Sequence, residues 1–163
     1  MIVFTDGASE LEARDVGYAG VLIDTKTGTV RAFGRKMGLP LKKHLSDEWR
    51  KKQVVGQAEL YPMVVARRLW KDILHKRDVI YFVDNDAARY GVIKGHSRVP
   101  SSAWLIHSFW MMGCKDGSYT WANGSPLRVT RRMDRPGGSG MNWKGSLLVS
   151  SKTNGVTKEN IKT

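Results

Sequence analysis

The 163-residue chain carries 41% apolar side chains, enough for one hydrophobic core and too short for a multidomain enzyme. No apolar run approaches the roughly eighteen residues of a membrane span, and the opening Met1 to Asp6 has neither the basic start nor the long apolar centre of a secretory leader, so the expectation is a soluble protein. A single cysteine, Cys114, excludes an intramolecular disulfide and a cysteine-rich zinc site, and fits an intracellular, reducing compartment.

The net charge of +12 is unevenly placed. Residues 35–52 carry seven basic and two acidic side chains, residues 126–163 carry eight and two, and the remainder is nearly neutral. A neutral body with two basic segments suits a polyanion, because each phosphate neutralised releases counterions from a nucleic acid. A solvated basic tail is the plainer alternative, and it weighs more for the end of the chain than for 35–52.

In chain order, Ile2 to Thr5 predicts a strand that stops at the turn-forming pair Asp6-Gly7. Gly17 to Asp24 and Thr29 to Gly34 predict two further strands, joined by a turn at Thr25 to Gly28, and the three together suggest an antiparallel meander. The basic insertion, residues 35–55, follows, with a short helix expected near Ser46 to Lys52. From Gln57 the apolar period becomes helical, with Leu60, Val64 and Ile73 on or near one face. Pro62 is cheap only in a first helical turn, which predicts Glu59 at or near the N-terminus. Val79 to Val83 is apolar throughout, as a strand buried on both faces would be, and ends on Asp84.

A short helix from Asp84-Asn85-Asp86 to Ile93, closed by Gly95, comes next. Ser101 or Ser102 then caps a helix over Ala103 to Gly113, apolar around most of its circumference and therefore mostly buried or covered by a partner. His107 reads as packing in that helix and His96 as loop. Ser118 to Trp121 predicts a last strand, and from about Gly137 the Gly, Ser, Thr and Asn content predicts weak order. The domain organisation expected is 1–137 as one domain and 138–163 as a basic tail.

Two strands each deliver an aspartate at the carboxyl end, and a helix between them in sequence carries Glu59. In open sheets ligands bind beyond the strand ends, so Asp6 and Asp84 converge if their strands are neighbours. Crowded carboxylates repel, and a divalent cation is the cheapest relief; two such ions would support attack of water on a phosphodiester. Taken singly, each carboxylate has a plainer role: Asp6 in a turn, Asp84 as a helix cap, Glu59 answering a helix dipole. Their order along the chain favours a shared site.

Phe4-Thr5-Asp6-Gly7-Ala8, Gly17-Tyr18-Ala19-Gly20-Val21-Leu22, Gln57-Ala58-Glu59-Leu60 and Phe82-Val83-Asp84-Asn85, taken in that order over about residues 2–95, resemble the ribonuclease H fold, particularly the domains attached to retroelement reverse transcriptases. The resemblance implies an α/β fold with a mixed five-stranded sheet, three antiparallel strands and then two parallel, flanked by helices. It implies two Mg²⁺ or Mn²⁺ ions, cleavage of the RNA strand of an RNA–DNA hybrid, and a possible reverse transcriptase partner in a longer polypeptide. Carried over by position, Asp6, Glu59 and Asp84 match the first three family carboxylates and Asp134 is the candidate fourth. Arginines precede Asp134, Pro136 opposes a long closing helix there, and no histidine follows His107, where many members have one. Asp86 has solvated helix surface as its plainer and favoured role, with a supporting carboxylate as the alternative.

For the nucleic acid, Asn85 is a candidate hydrogen-bond donor in the hybrid's minor groove, Lys42, Lys43, Arg50, Lys51 and Lys52 are candidate phosphate contacts around Trp49, and Arg128, Arg131 and Arg132 flank Asp134. Two other functions compete: a DNA nuclease or transposase-type enzyme of the same fold, and a non-cleaving nucleic-acid-binding or structural module.

Overall fold

The computed structural model describes residues 1–9, 16–37, 54–124, 127–131 and 147–151. They form β1 (Ile2–Ser9), β2 (Val16–Ile23), β3 (Val30–Lys36), α1 (Val54–Leu69), α2 (Lys71–Leu74), β4 (Asp78–Val83), α3 (Asp86–Lys94), α4 (Pro100–Asp116), β5 (Tyr119–Gly124), β6 (Leu127–Arg131) and β7 (Leu147–Ser151). The chain divides into two compact units, Met1–Gly124 and Ser125–Thr163. The first holds a five-stranded sheet in the order β3-β2-β1-β4-β5. β1, β2 and β3 pair antiparallel, whereas β4 pairs parallel with β1 and with β5, as the motif order implies. The second unit holds the antiparallel pair β6–β7. The expected boundary near residue 137 lies outside the described residues, and β7 is a strand where the composition predicts weak order.

Residues of period two divide the sheet into two faces. Val3, Leu22, Val79, Tyr81 and Val83 share one core cluster with Leu60, Met63 and Val64 of α1, Val92 of α3, and Leu105, Ile106 and Phe109 of α4. On the opposite face Phe4 and Phe82 stack with centroids 5.0 Å apart, and Ile80, Tyr119 and Trp121 are exposed. β4 alternates between buried odd and more open even positions, so its uninterrupted apolar run does not mean burial on both faces.

The core contains a charge. Arg67 of α1 is fully buried, pairs with Asp116 at 3.0 Å, and donates to Ser118 Oγ at 2.7 Å and to Thr120 Oγ1. Its guanidinium carbon lies 4.5 Å from the Phe109 ring centroid and 5.6 Å from that of Tyr81. Gly113 makes the space, since a Cβ there would stand 2.8 Å from Nη2. These partners meet the two terminal nitrogens of the buried guanidinium, leave its Nε buried without a hydrogen-bond partner, and tie α1 to the end of α4 and to β5. Burial pushes the neighbouring Tyr81 phenol well above its usual range, with Arg67 opposing and Asp116 adding to the shift.

Several elements differ from expectation for identifiable reasons. β1 does not end at Asp6-Gly7 but runs on to Ser9, so that pair is strand and not turn. α1 starts at Val54, which places Glu59 in its second turn and Pro62 in its interior. Proline at 62 has no N–H to give the Ala58 carbonyl, and that carbonyl faces β1, where a Cβ at Gly7 would stand 2.1 Å from it. The helical stretch also breaks at Trp70 before the short α2. α4 is capped by Val99 with Pro100 in its first turn, not by Ser101 or Ser102. Its circumference is not wholly buried: Trp104 and Met111 are exposed, and so is His107, which does not pack in the core. Among the described residues no helix is long and apolar enough to cross a membrane. The short helix expected near Ser46 to Lys52 lies outside them.

Candidate active site

The parallel ladder between the two central strands aligns Phe4 with Phe82 and Thr5 with Val83. Asp6 and Asp84 are the residues that follow this last pair in the two segments. β1 continues past this point while β4 stops at Val83, so Asp6 is half-buried and Asp84 is exposed. Asn85 then caps α3, its side-chain oxygen accepting from the Ala88 N–H at 2.9 Å. That oxygen is committed to the helix.

Glu59 approaches the same strand ends from α1 and is 6% exposed. Its seat follows from Gly7: without a side chain there, the backbone of β1 lies against Ala58 and Glu59, and the Gly7 N–H donates to the carboxylate. Burial, then the charges of Asp6 and Asp84, push the Glu59 carboxyl up to about 8, with the Gly7 hydrogen bond opposing. Its Oε2 is buried without a hydrogen-bond partner. On the other side of the helix start, Gln57 donates to Ser101 Oγ at 3.1 Å and so ties the beginning of α1 to α4.

Three of the four expected carboxylates therefore meet at one end of the sheet. The orphaned Glu59 oxygen and the all-oxygen, like-charged donor set fit a hard divalent cation, which relieves both the repulsion and the unmet acceptor. Among the described residues, however, no three His, Cys, Asp or Glu side chains are gathered tightly enough to ligate one ion together. Electrostatic coupling reaches further than ligation, so both observations hold: the carboxylates sense one another without being closed around a point.

Asp134, Lys42, Lys43, Arg50, Lys51, Lys52 and Arg132 lie outside the described residues. Arg128 and Arg131 fall on β6 in the second unit, opposite Ser150 and Leu147. Gly7 is the functional position that local sequence conceals: Asp-Gly is a common turn pair, and only the approach of α1 reveals why glycine is needed.

The strand order, the mixed pairing and the placement of helices are those of the ribonuclease H fold. Solved structures agree. The chain superposes on RNase H1 from the halophilic archaeon Halobacterium salinarum with a TM-score of 0.59 and 15% identity, covering 77% of this chain and 84% of that one. The N-terminal RNase H domain of a Mycobacterium tuberculosis protein gives 0.54 and 13%, over 76% and 81% of the two chains. LC11-RNase H1, isolated from compost by a metagenomic approach, gives 0.55 and 13%, over 76% and 83%. No family model and no curated protein matches the chain by sequence.

Proposed function

We propose that the protein is a metal-dependent endonuclease that hydrolyses the RNA strand of RNA–DNA hybrids. The observation that carries the reading is the meeting of Asp6, Glu59 and Asp84 at one end of a ribonuclease H-fold sheet, with Glu59 raised to about 8 by burial and by the other two. Asp6, Glu59 and Asp84 would hold the divalent ions, with Asp134 the proposed fourth ligand. Held there, a pair of Mg²⁺ or Mn²⁺ ions would supply an activated water and charge stabilisation for phosphodiester hydrolysis. The chain's own part is positional. The β1–β4 register sets Asp6 beside Asp84, Gly7 orients Glu59 through its N–H, and α1 buries Glu59 so that its charge is stable only against a cation. No side-chain nucleophile is required.

The nucleic acid is the partner that the +12 charge supports, with the 35–55 insertion and the Arg128 to Arg132 segment as the proposed phosphate contacts. A second reading, a non-cleaving nucleic-acid-binding module, draws on the absence among the described residues of three side chains closed around one ion.

The test is incubation of the purified protein with labelled RNA–DNA hybrid, duplex DNA and duplex RNA in Mg²⁺, Mn²⁺ or EDTA, with Asp84→Asn in parallel. Metal-dependent cutting of only the hybrid's RNA, lost in Asp84→Asn, is the expected result. Cutting of duplex DNA instead assigns the DNA-nuclease alternative. Hybrid binding without cutting by the folded wild type assigns the non-cleaving module.

A further inference from the structure

Arg89 is the fourth residue of α3, and a helical side chain covers the turn N-terminal to its own Cα, so its guanidinium is drawn back toward the end of β4. Nη2 pairs with Asp86 Oδ1 at 2.8 Å. The other arm reaches a different element: a Cβ built on Gly124 would stand 2.3 Å from Nη1 and 3.4 Å from Cζ, so the guanidinium rests on the bare Cα at the end of β5. The guanidinium carbon also lies 5.0 Å from the centroid of the Tyr90 ring. In the β4–β5 ladder Gly124 is the partner of Val83, the residue before Asp84. The cation is thus held at the carboxyl end of the sheet, beside the strand that delivers Asp84.

A surface i,i+3 pair explains only part of this. Such a pair is weak and does not need its guanidinium seated on another strand. The Asp86 side chain is 74% exposed and can swing into water, whereas the Arg89 side chain is 21% exposed. A guanidinium has five donors in a planar fork, a geometry that suits a phosphate's oxygens.

We propose that Arg89, seated on Gly124, binds a backbone phosphate of the nucleic acid next to the one presented to Asp6, Glu59 and Asp84. This rests on the nucleic-acid reading above. Arg89 is a positioning residue: it fixes the strand's register relative to the carboxylates.

The experiment is equilibrium binding of a labelled RNA–DNA hybrid to the full chain in EDTA across a KCl series. Arg89→Gln is expected to weaken binding several-fold and to lower the slope of log K against log salt by about 0.9, the value of one phosphate contact. Arg89→Lys is expected to restore most of that slope. Gly124→Ala leaves the arginine in place but pushes its guanidinium off the seat; it is expected to weaken binding with little loss of stability, because only the end of a flexible side chain must move, and it carries the test if Arg89→Gln misfolds. Asp86→Asn is expected to bind as tightly as wild type or more so, since a competing anion is removed. An unchanged salt slope in folded Arg89→Gln, with wild-type binding intact, overturns the proposal alone. Equal losses in Asp86→Asn and Arg89→Gln reduce Arg89 to the helix pair and overturn it too. Absence of any hybrid binding by wild type overturns both this proposal and the nucleic-acid reading.

Discussion

Glu59 ties the chemistry of the site to the stability of the fold. An unfolded-chain glutamate loses its proton near 4.5, whereas in the folded protein burial and the charges of Asp6 and Asp84 hold the proton until about 8. Below 4.5 both states are protonated and the site has no cost. As pH rises above 4.5 the unfolded chain ionises alone and binds fewer protons than the folded one, so stability falls until about pH 8 and then levels off. The fall is on the order of a few kcal/mol, shared among the coupled carboxylates. Urea denaturation in EDTA at pH 5, 7 and 9 checks this: wild type loses stability with pH, and Glu59→Gln flattens the profile. Parallel profiles would place the proton elsewhere. Arg67 is a second buried charge, and it differs from Glu59 in having an opposite charge beside it, Asp116 at 3.0 Å. Arg67→Ala would leave Asp116 without its cation and is expected to cost about 3 kcal/mol, read as a lower urea midpoint.

Glycines decide how the elements approach one another, and they predict opposite signs for the same substitution. Gly56 on α1 has open space where a Cβ would stand, with nothing within 4 Å, so Gly56→Ala is expected to stabilise by up to about 1 kcal/mol through helix propensity. Gly113 on α4 lies against the Arg67 guanidinium, and Gly113→Ala is expected to destabilise despite the same propensity gain, since the guanidinium cannot move without losing buried partners. Gly7 is the most demanding, because the atom in the way is backbone carbonyl. Gly7→Ala pushes β1 away from α1 and is expected to cost about 1–3 kcal/mol, as overpacking does, while separating Asp6 from Glu59 and abolishing cleavage. Thermal denaturation of the three variants orders them: Gly56→Ala above wild type, Gly113→Ala below it, Gly7→Ala lowest. Pro62 belongs to the same contact, since its missing N–H leaves the Ala58 carbonyl to face β1.

For the whole molecule, the first unit supplies a ribonuclease H fold, and the basic segments are the proposed source of attraction for a polyanion. If the 35–55 insertion grips phosphate, Lys51→Gln with Lys52→Gln lowers the salt slope of hybrid binding by up to about 1.8. Salt titration of binding checks this, and an unchanged slope assigns the two lysines to solvent.

Asp6, Glu59 and Asp84 are legible in the sequence because two apolar strands end near aspartates and a helix between them carries a glutamate; that order survives any detail of packing. So are the meander and the closure of α3 by Gly95, a local cap whose chemistry needs no tertiary partner, whereas its N-cap is Asn85 and not the Asp84 of the plainer reading. Tertiary structure alone decides the rest. Asp6-Gly7 is a turn pair by local preference, yet the approach of α1 makes it strand, and the start of α1 at Val54, well before Pro62, depends on what its Ala58 carbonyl faces. The burial of Arg67 and the exposure of His107, Trp104 and Met111 depend on which side of a helix meets the sheet. Periodicity shows that a helix has faces; only the neighbouring elements determine which of them loses water and which groups must then be paired.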